Sequence, residues 1–305
     1  MLSEISKSFT QTFLIGHLLP AILFVAFAKF ALGAAPARDL AAYLASLTEA
    51  DKIADIGVFG LVLALVLVTF NRQLIQIYEG YSLGKLLNIR FHLRCTPINE
   101  RRRMALLRRQ IMTTDRGYSR FQVALAREFP ERRSLVLATR FGNTIRAFER
   151  YSAVAYGFEA VEGTNRLVPL MEESVSAAIA WAKSRVDFWV NVSFLSLVAP
   201  ILWWWGDAAP SLPGVAIPLI AGIAASVVAI HLARQAAYEW GVNVKAGIDV
   251  TLPKLAETLG YSVPLDAVDQ RRFWILLSQH FLLRDRRTLQ LLQPFRSKDP
   301  PEKRD

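Results

Sequence analysis

Residues 56–70 read IGVFGLVLALVLVTF, with no charge and only Thr69 as a polar side chain. Extended back to Ile53 and forward to Ile75, the stretch reaches bilayer length, because a helix needs about 20 apolar residues to cross roughly 30 Å of hydrocarbon. Three more blocks of this kind lie at residues 13–32, 188–205 and 215–233. Together they predict an all-α integral membrane protein, a four-helix bundle of two antiparallel hairpins. The first hairpin falls in residues 1–75, with spans at about 13–32 and 53–75. A basic helical cytoplasmic domain, 76–186, is inserted between spans 2 and 3. The second hairpin occupies 187–233, and a helical C-terminal region with a frayed end occupies 234–305.

Composition agrees. Hydrophobic residues make up 53% of the chain and mean hydropathy is +0.27, with the excess gathered in the four blocks. Net charge is +10. In a membrane protein such an excess points first to cytoplasmic loops and anionic lipid, and only then to nucleic acid. Cys95 is the single cysteine, so the chain has no internal disulfide and no cysteine-built metal site.

The first block is interrupted by His17, Pro20 and Lys29. Its apolar run is too long for a cleaved signal, and Lys29 sits inside it, so it reads as an uncleaved span with Lys29 snorkelling at the outer end. The second span is expected to continue as helix through Leu74, Ile75, Tyr78 and Leu83 to Leu87, because Gly80 and Gly84 weaken the pattern without forcing a break. Thr96-Pro97 opens another helix, with Met104, Leu107 and Ile111 on one face and Arg101, Arg102, Arg103, Arg108 and Arg109 over much of the rest. A helical stretch is expected from Ser134 to Tyr156, with Gly157 as its cap. Residues 158–169 read as irregular, and 171–186 as a helix feeding directly into the third span.

Orientation follows from Lys and Arg. Residues 72–186 hold 20 basic and 10 acidic side chains, and 234–305 hold 12 and 9. The opposite connections, 33–55 and 206–214, hold 2 and 0 basic residues. Both termini are therefore expected in the cytoplasm of a bacterial cell, with the protein in its inner membrane. Trp203-Trp204-Trp205 then falls at the outer interface, where an aromatic belt belongs.

The spans offer few polar groups: His17, Lys29, Asn191, Ser193 and His231, with no buried acid and no acid–base pair across helices. That disfavours a proton-coupled carrier and leaves a passive pore open. Gly222, Ser226 and the row Ala221, Ala225, Ala229 put small residues at i, i+4 in the fourth span, suited to close packing within one chain or between subunits. The arginine-rich helix suits anionic lipid, and equally a solvated face. Its arginines lack interleaved aromatics, so nucleic acid is not expected. No HExxH, GxSxG, GxxxxGK or GxGxxG occurs, and Glu79, Glu149, Glu159 and Glu162 read as ion-pair partners of nearby arginines. No cofactor or metal is expected.

One segment has a familiar look. Phe129-Pro130, Ala138-Thr139-Arg140-Phe141-Gly142-Asn143, Arg146-Ala147, Glu149, Tyr156-Gly157 and Arg166-Leu167 resemble a pattern in uncharacterised bacterial multi-span membrane proteins, where LATRLGNxLRAxE is followed by RYGxD and WPRL. Here Thr164-Asn165 replaces the tryptophan-proline, and Glu159 stands where the aspartate would be. Glu79-Gly80-Tyr81 and Asp249 fall where that family carries EGY and a later aspartate. The resemblance implies the topology and no mechanism. It singles out Glu79, Arg140, Asn143, Arg146, Glu149 and Arg166 as core or binding candidates of the cytoplasmic domain. Arg146 and Glu149, three apart, can pair on one helix face. Bestrophin-type anion channels share the four-span plan, as architectural analogy only.

The expected function is non-enzymatic: a homo-oligomeric scaffold or effector whose basic domain acts at the inner leaflet, on anionic lipid or a cytoplasmic protein. The alternatives are an oligomeric passive ion channel and, third, a membrane enzyme. For the topology, single cysteines placed at Ser46 and Ala209 should label from outside intact cells, and one at Ser119 should not. Labelling at Ser119 with silence at Ser46 reverses the orientation.

Overall fold

The computed structural model describes residues 11–33, 49–81, 98–112, 120–206 and 211–297. Among them every regular element is helical and there is no strand, only an isolated antiparallel bridge between Tyr261 and Arg296. Cys95 and the Thr96-Pro97 start lie outside the described residues. Four helices are long and apolar enough to cross a membrane. The first runs from Gln11 and includes a π-helical turn, Leu14–Leu18, before α1, Leu19–Gly33. α2 is Glu49–Glu79. The shorter α3 (Ile98–Met112), α4 (Arg120–Glu128), α5 (Arg140–Glu149), α6 (Tyr151–Ala155) and α7 (Ala160–Leu167) follow. The third and fourth long helices are α8, Glu173–Gly206, and α9, Leu212–Thr258. α10 (Ala267–Leu283) and α11 (Arg286–Leu292) complete the chain.

Two compact units result. One comprises Met1–Cys95 and Ala180–Ala237, the other Thr96–Ile179 and Tyr238–Asp305. Residues beyond 237, set apart by sequence as a C-terminal region, thus belong with 96–179. Both α8 and α9 contribute to each unit. α9 has 47 residues and, at 1.5 Å per residue, is about 70 Å long, more than twice the hydrocarbon thickness.

The first unit packs through small residues. Gly60 lets α2 approach α1 so closely that a Cβ there would lie 2.8 Å from Ile22 Cγ1. At Gly222 a Cβ would lie 2.5 Å from the Ser196 carbonyl oxygen, so α9 touches α8 backbone. Gly222, Ser226 and Ala229 are buried while Ala225 and Ala221 are exposed. The buried small face therefore serves packing within the chain.

The second unit is built on a core of Phe158, Leu167, Leu252, Phe273, Trp274 and Leu277. The Phe158 and Trp274 rings meet edge to face, 5.7 Å between centres. A satellite cluster joins Met104 of α3 to Phe129 and Val136, with Leu107 packed beside it.

Three elements differ from the sequence-based expectation. α2 breaks at Gly80, which takes φ +93° and closes its N–H on the Ile77 carbonyl; Tyr81 is helical again, and residues 82–87 of the expected extension lie outside the described residues. The helix expected from Ser134 begins only at Arg140: residues around 136–139 are extended, and the Thr139 hydroxyl caps the new helix by accepting from the Gly142 N–H at 3.0 Å. Residues 160–167, expected to be irregular, form α7. A Cβ at Gly163 would fall 2.1 Å from the Phe158 ring, so the glycine that weakens the helical pattern makes room for a core side chain.

Gly222 and Gly57 sit on two spanning helices in opposite settings, since a Cβ at Gly57 meets nothing within 4 Å. Gly222→Ala should therefore cost roughly 1–3 kcal/mol through overpacking. Gly57→Ala should be neutral or gain up to about 1 kcal/mol from helix propensity. Thermal unfolding of the two variants in detergent checks this, and equal effects would refute the close packing of α9 on α8.

Candidate functional site

The arginines of α3 do not form one set. Arg103 bonds Glu100 at 3.2 Å, pairs with Glu128, and holds its guanidinium 5.2 Å from the Phe129 ring centre. It is committed to the fold of the second unit. Arg108 donates to the Glu131 carbonyl at 2.7 Å, and Arg101 is half-buried. Arg102, Arg108 and Arg109 are exposed. Met104 and Leu107 face the core as expected, yet the helix carries a second apolar face. Ile98, Leu106 and Met112 are 40%, 59% and 89% exposed, interleaved with Arg102 and Arg109 on one side of the helix. A helix apolar on its inner face gains nothing in water from apolar groups on its outer one. Sequence periodicity found the inner stripe; only burial separates the outer one from it.

The six family-derived candidates do not converge. Glu79 is buried in the first unit. Arg140, largely exposed, lies 3.6 Å from Glu100. Asn143 is fully buried at the start of α5, where its amide accepts from the Leu137 N–H at 2.7 Å and donates to the Leu137 carbonyl at 3.1 Å. That pairing pins the extended segment to α5. Arg166 lies over the Phe281 ring at 4.1 Å. Arg146 and Glu149 meet at 3.3 Å.

A polar cluster that sequence reading missed lies in the first unit. Asp187 is 5% exposed on α8. It accepts from Lys183 at 2.7 Å and from the Asn71 amide at 3.1 Å, and His17 Nε2 stands 3.8 Å away. Asn191, one turn further, is fully buried; its Nδ2 lies 2.8 Å from the Gly16 carbonyl and 3.0 Å from His17 Nδ1. Gly16 and His17 belong to the π-turn, whose wider ring offers a carbonyl to a side chain. A cavity of about 280 Å³ opens among His17, Asn71, Lys183 and Asp187. The expectation of no buried acid and no acid–base pair across helices is therefore corrected. Hydropathy starts the third span at Phe188 and leaves Asp187 just outside it, whereas α8 runs unbroken from Glu173. Lys29, expected to snorkel, instead bonds Asp55 of α2 at 3.1 Å. Deeper in the unit, Ser193 Oγ is 2.8 Å from Ser226 Oγ and 2.9 Å from the Tyr78 hydroxyl.

Among the described residues, no three His, Cys, Asp or Glu side chains form a group able to hold a metal ion. No family model, curated protein or solved structure matches this chain.

The Glu149 carboxyl carries a pH dependence. Burial holds it above the ordinary carboxylate range, and Arg146 pulls it back only in part. The folded protein thus binds the Glu149 proton more tightly than the unfolded chain does. Its contribution favours the fold at acid pH and fades as pH rises through the carboxylate range. Glu149→Gln should raise the unfolding midpoint near pH 7 and leave it unchanged below about pH 4. A lower midpoint near pH 7 would show that the Arg146 pair outweighs burial.

Proposed function

We propose that this chain is a non-enzymatic multi-span membrane protein whose second unit works as a scaffold at the anionic inner leaflet of a bacterial membrane, in a homo-oligomer. The observation that carries this is the outer face of α3, where Leu106 and Met112 stand exposed between Arg102 and Arg109. Apolar side chains entering the acyl boundary with arginines at headgroup level are the pattern of an interfacial helix. The basic excess of residues 72–186 supports the same leaflet. Kinship with the bacterial multi-span family is proposed on the motif of residues 129–167.

A second reading, an ion path through the first unit, has its own support. Asp187 and His17 are buried beside a polar cavity, and the buried Oδ1 atoms of Asn71 and Asn191 have no hydrogen-bond partner among the described residues. Intramembrane ionisable groups with open acceptors are where ions or protons pass. Loss of a liposome ion flux on Asp187→Asn would favour this path.

The scaffold proposal is tested on the full chain carrying Cys95→Ser and a nitroxide at Leu106→Cys. In nanodiscs containing phosphatidylglycerol the label should be reached by lipid-soluble oxygen more readily than by an aqueous nickel reagent. In neutral nanodiscs, or with Arg102, Arg108 and Arg109 changed to Gln, the preference should reverse. At about 1 kcal/mol per basic residue near the surface, the arginines together contribute about 3 kcal/mol. Aqueous accessibility under every lipid condition would overturn the leaflet contact, and a monomeric particle mass would overturn the oligomer.

A further inference from the structure

A separate cavity of about 390 Å³ lies in the second unit, between α4, α5 and the 238–249 stretch of α9. That volume is ordinary for a small-molecule site. One part of its wall is apolar, with Val123, Phe148 and Val242; the other presents two cations, Arg127 and Lys245.

Neither cation is neutralised by an ion pair among the described residues. Arg127 lies flat on the Tyr238 ring, its Cζ 3.3 Å from the ring centre. Stacking holds a guanidinium by its face and leaves the N–H fork at its edge for a planar or tetrahedral oxyanion. Lys245 Nζ stands 5.3 Å from the centre of the Tyr151 ring. The one carboxylate in the wall, Asp249, is engaged by two phenols. Tyr151 donates to it at 3.0 Å and Tyr156 at 2.8 Å. Burial, reinforced by that carboxylate, pushes both phenols up from their ordinary range, so they remain protonated donors. The wall thus carries two basic side chains and one carboxylate, which accepts from both tyrosines.

We propose that this cavity binds a phosphate monoester, with the phosphate held by Arg127 and Lys245 and the organic part against Phe148 and Val242. The geometry of the donors decides the class. A phosphate monoester presents three strong acceptor oxygens, enough for the Arg127 fork and Lys245 together, where a carboxylate presents two. A planar Arg fork and a Lys point charge are complementary contacts to phosphate oxygens. The apolar wall favours an ester over the bare ion. The site stands apart from α3 and does not depend on the leaflet contact.

The test is calorimetry on the full chain in neutral phosphatidylcholine nanodiscs, with glycerol 3-phosphate as the soluble probe and phosphatidic acid built into the disc as the lipid probe. Hydrogen exchange over residues 120–128 and 238–249 is followed in parallel. Either probe should protect both stretches: glycerol 3-phosphate alone identifies a soluble ligand, and phosphatidic acid alone a lipid headgroup. Arg127→Gln and Lys245→Gln should each weaken binding roughly tenfold or more, and Arg127→Lys less. Val242→Phe, which fills the cavity from an exposed wall, should abolish binding while leaving the unfolding midpoint in place. Arg102→Gln, on the outer face of α3, should bind glycerol 3-phosphate as the parent does. No binding of either probe, or binding retained by both glutamine variants, would overturn the proposal.

Discussion

Hydrocarbon offers no partner to a peptide N–H or C=O, and that constraint organises everything else in this chain. Each apolar block must satisfy its own backbone, so each becomes an unbroken helix. Once a helix is obligatory, lipid gives no hydrophobic reason for two helices to associate, because leucine is as content against an acyl chain as against another leucine. What remains is close contact and polar bonds. The first unit uses both. Gly60 and Gly222 bring backbones to van der Waals contact with Ile22 and Ser196, and Ser193, Ser226 and Tyr78 bond between helices.

The charged groups of that unit follow from the same economy. An isolated carboxylate in a low-dielectric setting is costly, and breaking a compensated one is worse than never having it. Asp187 is matched by Lys183 one turn earlier and by Asn71 from another helix. The π-turn at Leu14–Leu18 has a related logic: a wider turn releases the Gly16 carbonyl, and Asn191 takes it up. Irregular backbone and buried amide therefore occur together, each removing the cost of the other.

The second unit obeys the ordinary rules of water. Its core is aromatic and aliphatic, with Trp274 and Phe158 at the centre. Its ion pairs, such as Arg103 with Glu100 and Arg150 with Glu159, are partly exposed and shape local geometry more than stability. The features that do not serve this packing are the ones the functional proposals rest on: apolar residues on the outer side of α3, and basic side chains outnumbering the one carboxylate around the α9 cavity.

The apolar blocks, the helical class and the four candidate spans were legible in sequence because they depend on composition and period alone. So were the Met104 stripe of α3, the Arg146–Glu149 pair and the capping role of Gly157, all set within a few residues. The end of α2 was not, because whether Gly80 breaks a helix turns on a φ angle that no pattern states. Nor was α7, whose Gly163 suits a helix only because the Phe158 ring fills the space beside it. The candidate sites were the least legible. His17, Asn71 and Asp187 are far apart in the chain, and so are Arg127, Tyr151 and Lys245. Sequence showed them as isolated polar residues; tertiary structure alone brought each set together. The physical reason is that periodicity reports which face of a helix is buried, whereas a site depends on which other face it is buried against.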